Sequence, residues 1–235
     1  MIKLIKLEWK KNRIGKHIRN AVILAGILCL FIFAMDFLGI ANDPVTGVPD
    51  AAPGMDNIAV IIELFSSMAF LVYTGVMLSS FIVSAYKNKT MNLMFSYPVK
   101  RQKILVSQML AVWIFNFSAL IFTKLLMYGC VIAGSRFMAP AFSQGFNMAD
   151  VSFYIQLILK SAVIVSMGFI ALFVGTAVKS TTATIVTSFL LIILTQANIG
   201  DFTMSNSVIF PLMLTAVSIL FAFLTVCRAE TKDLS

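Results

Sequence analysis

Residues 151–197 read VSFYIQLILKSAVIVSMGFIALFVGTAV, then KS, then TTATIVTSFLLIILTQA. Lys160 is the single charge in the first run and the second run has none. Each run approaches the roughly 20 apolar residues that carry a helix across the hydrocarbon of a bilayer. Lys179-Ser180 between them leaves room only for a tight return. Backbone in lipid has to satisfy its own hydrogen bonds, so such a pair is expected to be a hairpin of membrane-spanning helices.

The same reading extends in both directions. Toward the N-terminus, apolar spans are expected from about Asn20 to Ile40, Ile58 to Tyr86 and Ile104 to Gly134, and toward the C-terminus one from Ser207 to Cys227. Composition agrees. Of 235 residues 60% are hydrophobic and only 12% charged, about half the charged share of a soluble domain. Mean hydropathy is +0.95. Too few polar side chains remain to coat a water-soluble surface.

The net charge of +8 invites a nucleic-acid reading, but the basic residues flank the apolar runs, which is the pattern that orients membrane segments. Seven Lys and Arg lie in residues 1–19 and five in 87–103; with Lys179, Arg228 and Lys232 this makes fifteen on one side. The opposite loops hold Arg136 alone, beside Asp43, Asp50, Asp56, Asp150 and Asp201. That bias predicts an all-α polytopic membrane protein of six transmembrane helices in the cell membrane, with both termini cytoplasmic. Its parts are a basic helix over 1–19, a six-helix domain over 20–227 and a polar tail over 228–235. The sequon Asn88-Lys89-Thr90 then falls on the cytoplasmic side, where it is not used.

Residues 1–19 carry Lys3, Lys6, Lys10 and Arg13 at helical spacing, with Leu4, Leu7, Ile14 and Ile18 along one apolar stripe and Ile2, Ile5 and Trp9 along another. This is the pattern of an interfacial helix whose lysines meet anionic lipid or a protein partner, or simply fix the topology. The apolar run after it is longer than a signal-peptide core and lacks a small-x-small cleavage site, so it is expected to be retained. Cys29, Cys130 and Cys227 lie in or beside apolar runs with no C-x-x-C spacing, and they are expected to act as small structural hydrophobes.

Loop 87–103, between the second and third spans, reads KNKTMNLMFSYPVKRQK. Thr90 suits the cap of a short helix carrying Leu93, Met94 and Tyr97, and Pro98 ends it. Exposed large apolar residues on a basic cytoplasmic edge form a docking surface. Here the chain resembles the membrane subunits of ABC type-2 exporters. These often carry Thr-x-x-x-Leu followed by Pro-[Val/Ile]-Ser-Arg-x-x-Ile-Leu-x-x-Lys in this loop. Thr90, Leu93, Pro98, Val99, Arg101, Ile104 and Leu105 stand in matching order. Lys100 replaces the frequent serine, Gln108 the frequent lysine, and Asn88-Lys89 the frequent acidic-Gly pair.

The resemblance implies a permease subunit, with Thr90, Leu93, Met94, Tyr97, Pro98 and Arg101 coupling it to an ATPase. It further implies two copies of that ATPase carrying ATP and Mg, and dimerisation with itself or with a sister permease. The small size, without a large outer domain, resembles bacitracin and lantibiotic-immunity permeases that export amphipathic or antimicrobial peptides. The chain has no phosphate-cradling G-x-x-x-x-G-K-[ST]; its Gly15-Lys16 is followed by His17. No cofactor is expected on this chain, and ATP hydrolysis is expected on a partner.

Asp36, Glu63, Lys124 and Lys160 fall inside the spans, all in the outer half. A lone charge there is costly, so pairing, a wet vestibule or snorkelling to the interface is expected. Asn116, Thr123 and Lys124 share a face of the third span, as a pathway lining or as bonds to a neighbouring helix. Gly168, Ala171 and Gly175, and Gly75 with Ser79, form small-residue stripes that suit close helix packing. The sole histidine, His17, sits at the cytoplasmic edge and the spans hold one aspartate, which disfavours haem, zinc-protease and aspartyl-dyad chemistry. A secondary transporter or a non-transporting assembly factor stands as the alternative to the exporter, although no internal repeat is visible.

Overall fold

The computed structural model describes residues 2–12, 14–38, 57–84, 101–137, 150–196 and 209–231. Among them are seven helices and no strand. They are α1 (Ile2–Lys11), α2 (Ile14–Phe37), α3 (Asn57–Leu78), α4 (Arg101–Phe137), α5 (Val151–Val178), α6 (Thr181–Gln196) and α7 (Ile209–Thr231). A π-helical turn, Ser79–Val83, continues α3. The all-helical class read from the sequence is the one the chain adopts, and α5 starts and stops where the sequence placed it.

Four helices are long and apolar enough to cross a bilayer: Ile14–Met35, Ile58–Val83, Gln102–Gly134 and Val151–Val178. The apolar stretches of the remaining two helices are shorter, although α7 itself has 23 residues. α6 has 16 residues, about 24 Å at 1.5 Å per residue, and the apolar part of α7 is Met213–Cys227. Four full-length spans, rather than six, are therefore seen among the described residues.

Contacts fix the relative directions. Tyr73 Oη of α3 donates to the carbonyl of His17 near the start of α2 at 2.8 Å, while the rings of Phe31 and Phe65 meet farther along at 4.9 Å. The numbers rise along α2 as they fall along α3, so these helices are antiparallel. Trp113–Ser166 and Tyr128–Phe153 make α4 and α5 antiparallel in the same way. One end of the bundle, the near end, thus holds the starts of α2 and α4; the far end holds the starts of α3 and α5.

Two apolar clusters fill the bundle. One includes Ile32, Ile62, Phe70, Leu120, Met127, Val131 and Ile164. The other, toward the near end, joins Met77, Leu78, Phe81 and Ile82 to Leu105, Met109, Val112 and Leu172. The small-residue stripes lie where α3, α5 and α6 approach closely. A methyl group on Gly168 would stand 2.6 Å from Thr74 Cγ2, and one on Gly75 or Gly175 would collide with Ser188 or Thr184. The return at Lys179 has φ 55°, a left-handed helix end of the kind glycine usually fills.

The N-terminal segment departs from the expected single helix over 1–19. It breaks after α1, where Asn12 turns back, its amide donating to the Glu8 carbonyl at 3.2 Å. Helix α2 then starts at Ile14, so residues 14–19 extend the span. The packed face of α1 is Ile5 and Glu8, both buried, with Trp9 half-buried. Trp9 Nε1 donates to the carbonyl of Ala111 in α4 at 3.2 Å. Leu7 and Ile18, from the other stripe, are exposed.

Candidate functional site

α4 has 37 residues, about 55 Å of helix, and it carries the wholly buried Gln108, Asn116 and Lys124. Lys124 is wholly buried, with 0% of its side chain exposed, and its Nζ donates to Glu63 Oε1 of α3 at 2.7 Å; the Glu63 side chain is 24% exposed. The sequence left pairing and snorkelling open for these charges. Lys124 does not snorkel. Burial removes its water, and the carboxylate beside it restores a counter-charge.

Lys160 of α5 is half-buried and stands close enough to act electrostatically on Lys124. The charge of Glu63 likewise reaches Tyr128, one turn beyond Lys124, whose ring meets Phe153 of α5 edge-on at 4.9 Å. Glu63 and Lys124 form an ion pair toward the far end, with Tyr128 one turn along α4 and Lys160 on α5. Asp36 lies within α2, and its side chain is outside the described residues.

Asn116 is also fully buried, about two turns nearer the near end. Its Nδ2 donates to the Val112 carbonyl at 3.0 Å and lies 3.3 Å from Met77 Sδ of α3. Thr123 Oγ1 bonds back to the Ala119 carbonyl at 2.8 Å. These two members of the polar stripe bond to α4 itself and to α3, as helix contacts do. Thr90, Leu93, Met94, Tyr97 and Pro98 lie outside the described residues. Arg101 begins α4, its side chain likewise not described.

Three features escaped the sequence reading. Gln108 is fully buried, with neither its amide nitrogen nor its oxygen partnered among the described residues; its place two turns before Asn116 was the available signal. Trp9 docks α1 on α4. Cys29 and Cys130 are paired as a disulfide joining α2 to α4, with Cα atoms 6.9 Å apart, which corrects the expectation of unpaired thiols. Counted from Phe37 and Phe137, they lie eight and seven residues inside their helices, and that matched depth was a legible hint. Cys227 is free.

The arrangement is an ion pair buried in an apolar helix bundle, with a half-buried lysine on α5. Among the described residues no group of three His, Cys, Asp or Glu is placed to hold a metal. Fold and site together define a helical protein with four helices long and apolar enough to cross a membrane and a buried Lys124–Glu63 ion pair. The chain is similar to the uncharacterized protein YcbO of Bacillus subtilis (strain 168), 27% identical over 236 residues that cover 98% of this chain and 99% of that protein. No family model matches the chain, and no solved structure matches it.

Proposed function

We propose that this chain is the permease subunit of an ATP-driven ABC exporter of the type-2 kind, moving amphipathic or antimicrobial peptides, or lipid-like compounds, out of the cell. It has six spans, with both termini cytoplasmic, and it works as a homodimer or with a sister permease. A separate ATPase, in two copies, supplies ATP hydrolysis and Mg; this chain is not itself an enzyme and carries no cofactor. Thr90, Leu93, Met94, Tyr97, Pro98 and Arg101 form the coupling surface, and Asp36, Glu63, Asn116, Lys124 and Lys160 are the candidates for contact with cargo.

The observation that carries this reading is the ordered signature from Thr90 to Leu105 between the second and third spans. Two features support it. The basic helix α1 packs beside the opening turns of α4, which follow that loop directly. The positive charge also lies on the side where a cytoplasmic ATPase would dock.

The test is co-purification with the ATPase encoded beside this chain's gene. The wild-type chain is expected to hold the ATPase, and a Leu93→Glu, Met94→Glu, Tyr97→Asp variant of equal expression is expected to lose it. An undiminished complex would overturn the coupling assignment. ATPase stimulation by candidate peptides and lipids then identifies the cargo.

A further inference from the structure

α2 sits at the edge of the bundle and meets it along one stripe. Ala21, Ala25, Leu28 and Ile32 are buried, while Val22, Ile23, Ile27 and Leu30 are exposed. Leu28 and Ile32 share one core cluster with Ile58 and Ile62 of α3 and with Met127 and Val131 of α4. The far half of α2 therefore lies over the seam between α3 and α4. That seam holds the Lys124–Glu63 pair. Phe65, whose ring meets Phe31 of α2 at 4.9 Å, stands next but one to Glu63 in the chain.

The two ends of α2 are fastened differently. At the near end Tyr73 Oη donates to the His17 carbonyl, and α1, docked on α4 through Trp9, leads directly into the helix. At the far end a covalent bond, Cys29–Cys130, joins α2 to α4. Both cysteines are half-buried, so a small reagent can reach them. Cys130 lies about 9 Å along α4 beyond Lys124. Apolar packing has no chemical switch, whereas a disulfide is made and broken by electron transfer.

We propose that this disulfide is a reversible redox latch. Oxidised, it holds α2 closed over the α3–α4 seam; reduced, it lets the far half of α2 part from α4, and lipid enters beside the Lys124–Glu63 pair. To open it, a thiolate of a small dithiol attacks one sulfur and expels the other as a thiolate. The second sulfur of the dithiol then closes on its first and releases the remaining cysteine, so two electrons and two protons have passed to the protein. Closing gives both back to a two-electron acceptor that enters the bilayer, a quinone or an azo compound, which leaves as the quinol or the hydrazine. The latch acts on α2 and stands or falls apart from the exporter reading.

The test uses the full-length chain in phosphatidylcholine nanodiscs with a phosphatidylcholine probe that carries a diazirine in its acyl tail. Labelled peptides are mapped by mass spectrometry before dithiothreitol, after it, and after reoxidation with diamide, an azo compound. Reduction is expected to raise the label on residues 57–66 of α3 by about threefold or more, as local opening of one helix would, and diamide to return it. Cys29→Ser and Cys130→Ser should carry the raised label without reductant, and Cys227→Ser should behave as the wild type. Residues 163–172, where α5 packs closely on α3, should stay unlabelled throughout. Label on 57–66 that ignores reduction, or that keeps the oxidised level in both serine variants, overturns the latch. A rise that spreads to 163–172 also overturns it, because the bond would then brace the whole bundle. So does a reduced chain that diamide cannot return to the low level, since the bond would not be reversible.

Discussion

At the scale of the residue, Lys124 and Glu63 make an unequal pair. Lys124 has no exposed side-chain surface and Glu63 keeps about a quarter of its own. Neutralising Glu63 strands an ammonium where water cannot reach it; removing Lys124 leaves a carboxylate that water or a proton can still relieve. Removing one partner of a buried ion pair typically costs about 3–5 kcal/mol, and an apolar replacement of the whole pair is often near neutral. Glu63→Gln is therefore expected to fall in that range, with Lys124→Met clearly milder and the double variant recovering most of the loss. Thermal unfolding of the purified variants checks the order, and equal losses in the two single variants would refute it. The sequence placed both charges at membrane depth. It did not reveal that they face one another, because the rotation of α3 against α4 is set by packing around Phe70 and Leu120 and leaves no mark in either helix alone.

Between elements, α3, α5 and α6 are held together by what their glycines leave out. Thr74 fills the space beside Gly168, and Ser188 and Thr184 fill the spaces beside Gly75 and Gly175. Lipid gives helices no hydrophobic reason to associate, so close contact between small residues supplies much of the attraction. Overfilling a packed site typically costs about 1–3 kcal/mol. Gly168→Leu is expected to lose that much by pushing α5 away from α3, whereas Leu159→Ala on the exposed face of α5 should cost little. Unfolding midpoints in detergent compare the two. The glycine stripes were readable before the fold was known, since their spacing alone puts them on one face. The break between α1 and α2 was not, because Ile14 and Ile18 continue the apolar spacing of Leu4 and Leu7 straight through it. Docking of Trp9 on Ala111 selects the other face of α1, and the partner helix lies a hundred residues away in sequence.

The molecule as a whole is tied at its edge and ordered by charge. α2 exposes Val22, Ile27 and Leu30 to its surroundings, and the Cys29–Cys130 bond fastens it to α4 across a separation of 101 residues. The unfolded, unreduced chain should therefore accept one maleimide, at Cys227, and the reduced chain three; intact mass spectrometry distinguishes these, and three before reduction would refute the pairing. Topology asks more of the sequence. Among the described residues four helices have full membrane-spanning length, while the described length of α6, 16 residues, is shorter than the roughly 30 Å hydrocarbon core it would cross. A short helix can still span by thinning the bilayer around it, and the proposed orientation with both ends inside, argued from fifteen Lys and Arg against one, needs an even number of crossings. Single cysteines in a Cys227→Ser background that keeps the disulfide decide the matter. With a membrane-impermeant maleimide on intact cells, Gly47→Cys and Ser143→Cys should label, and Ser96→Cys and Ser235→Cys should label only after permeabilisation. Ser205→Cys, between α6 and α7, carries the decision. It labels from outside if both helices cross. If α6 and α7 instead dip in and return from the cytoplasmic face, it stays protected while the other four positions behave alike, and the molecule has four spans with the same orientation.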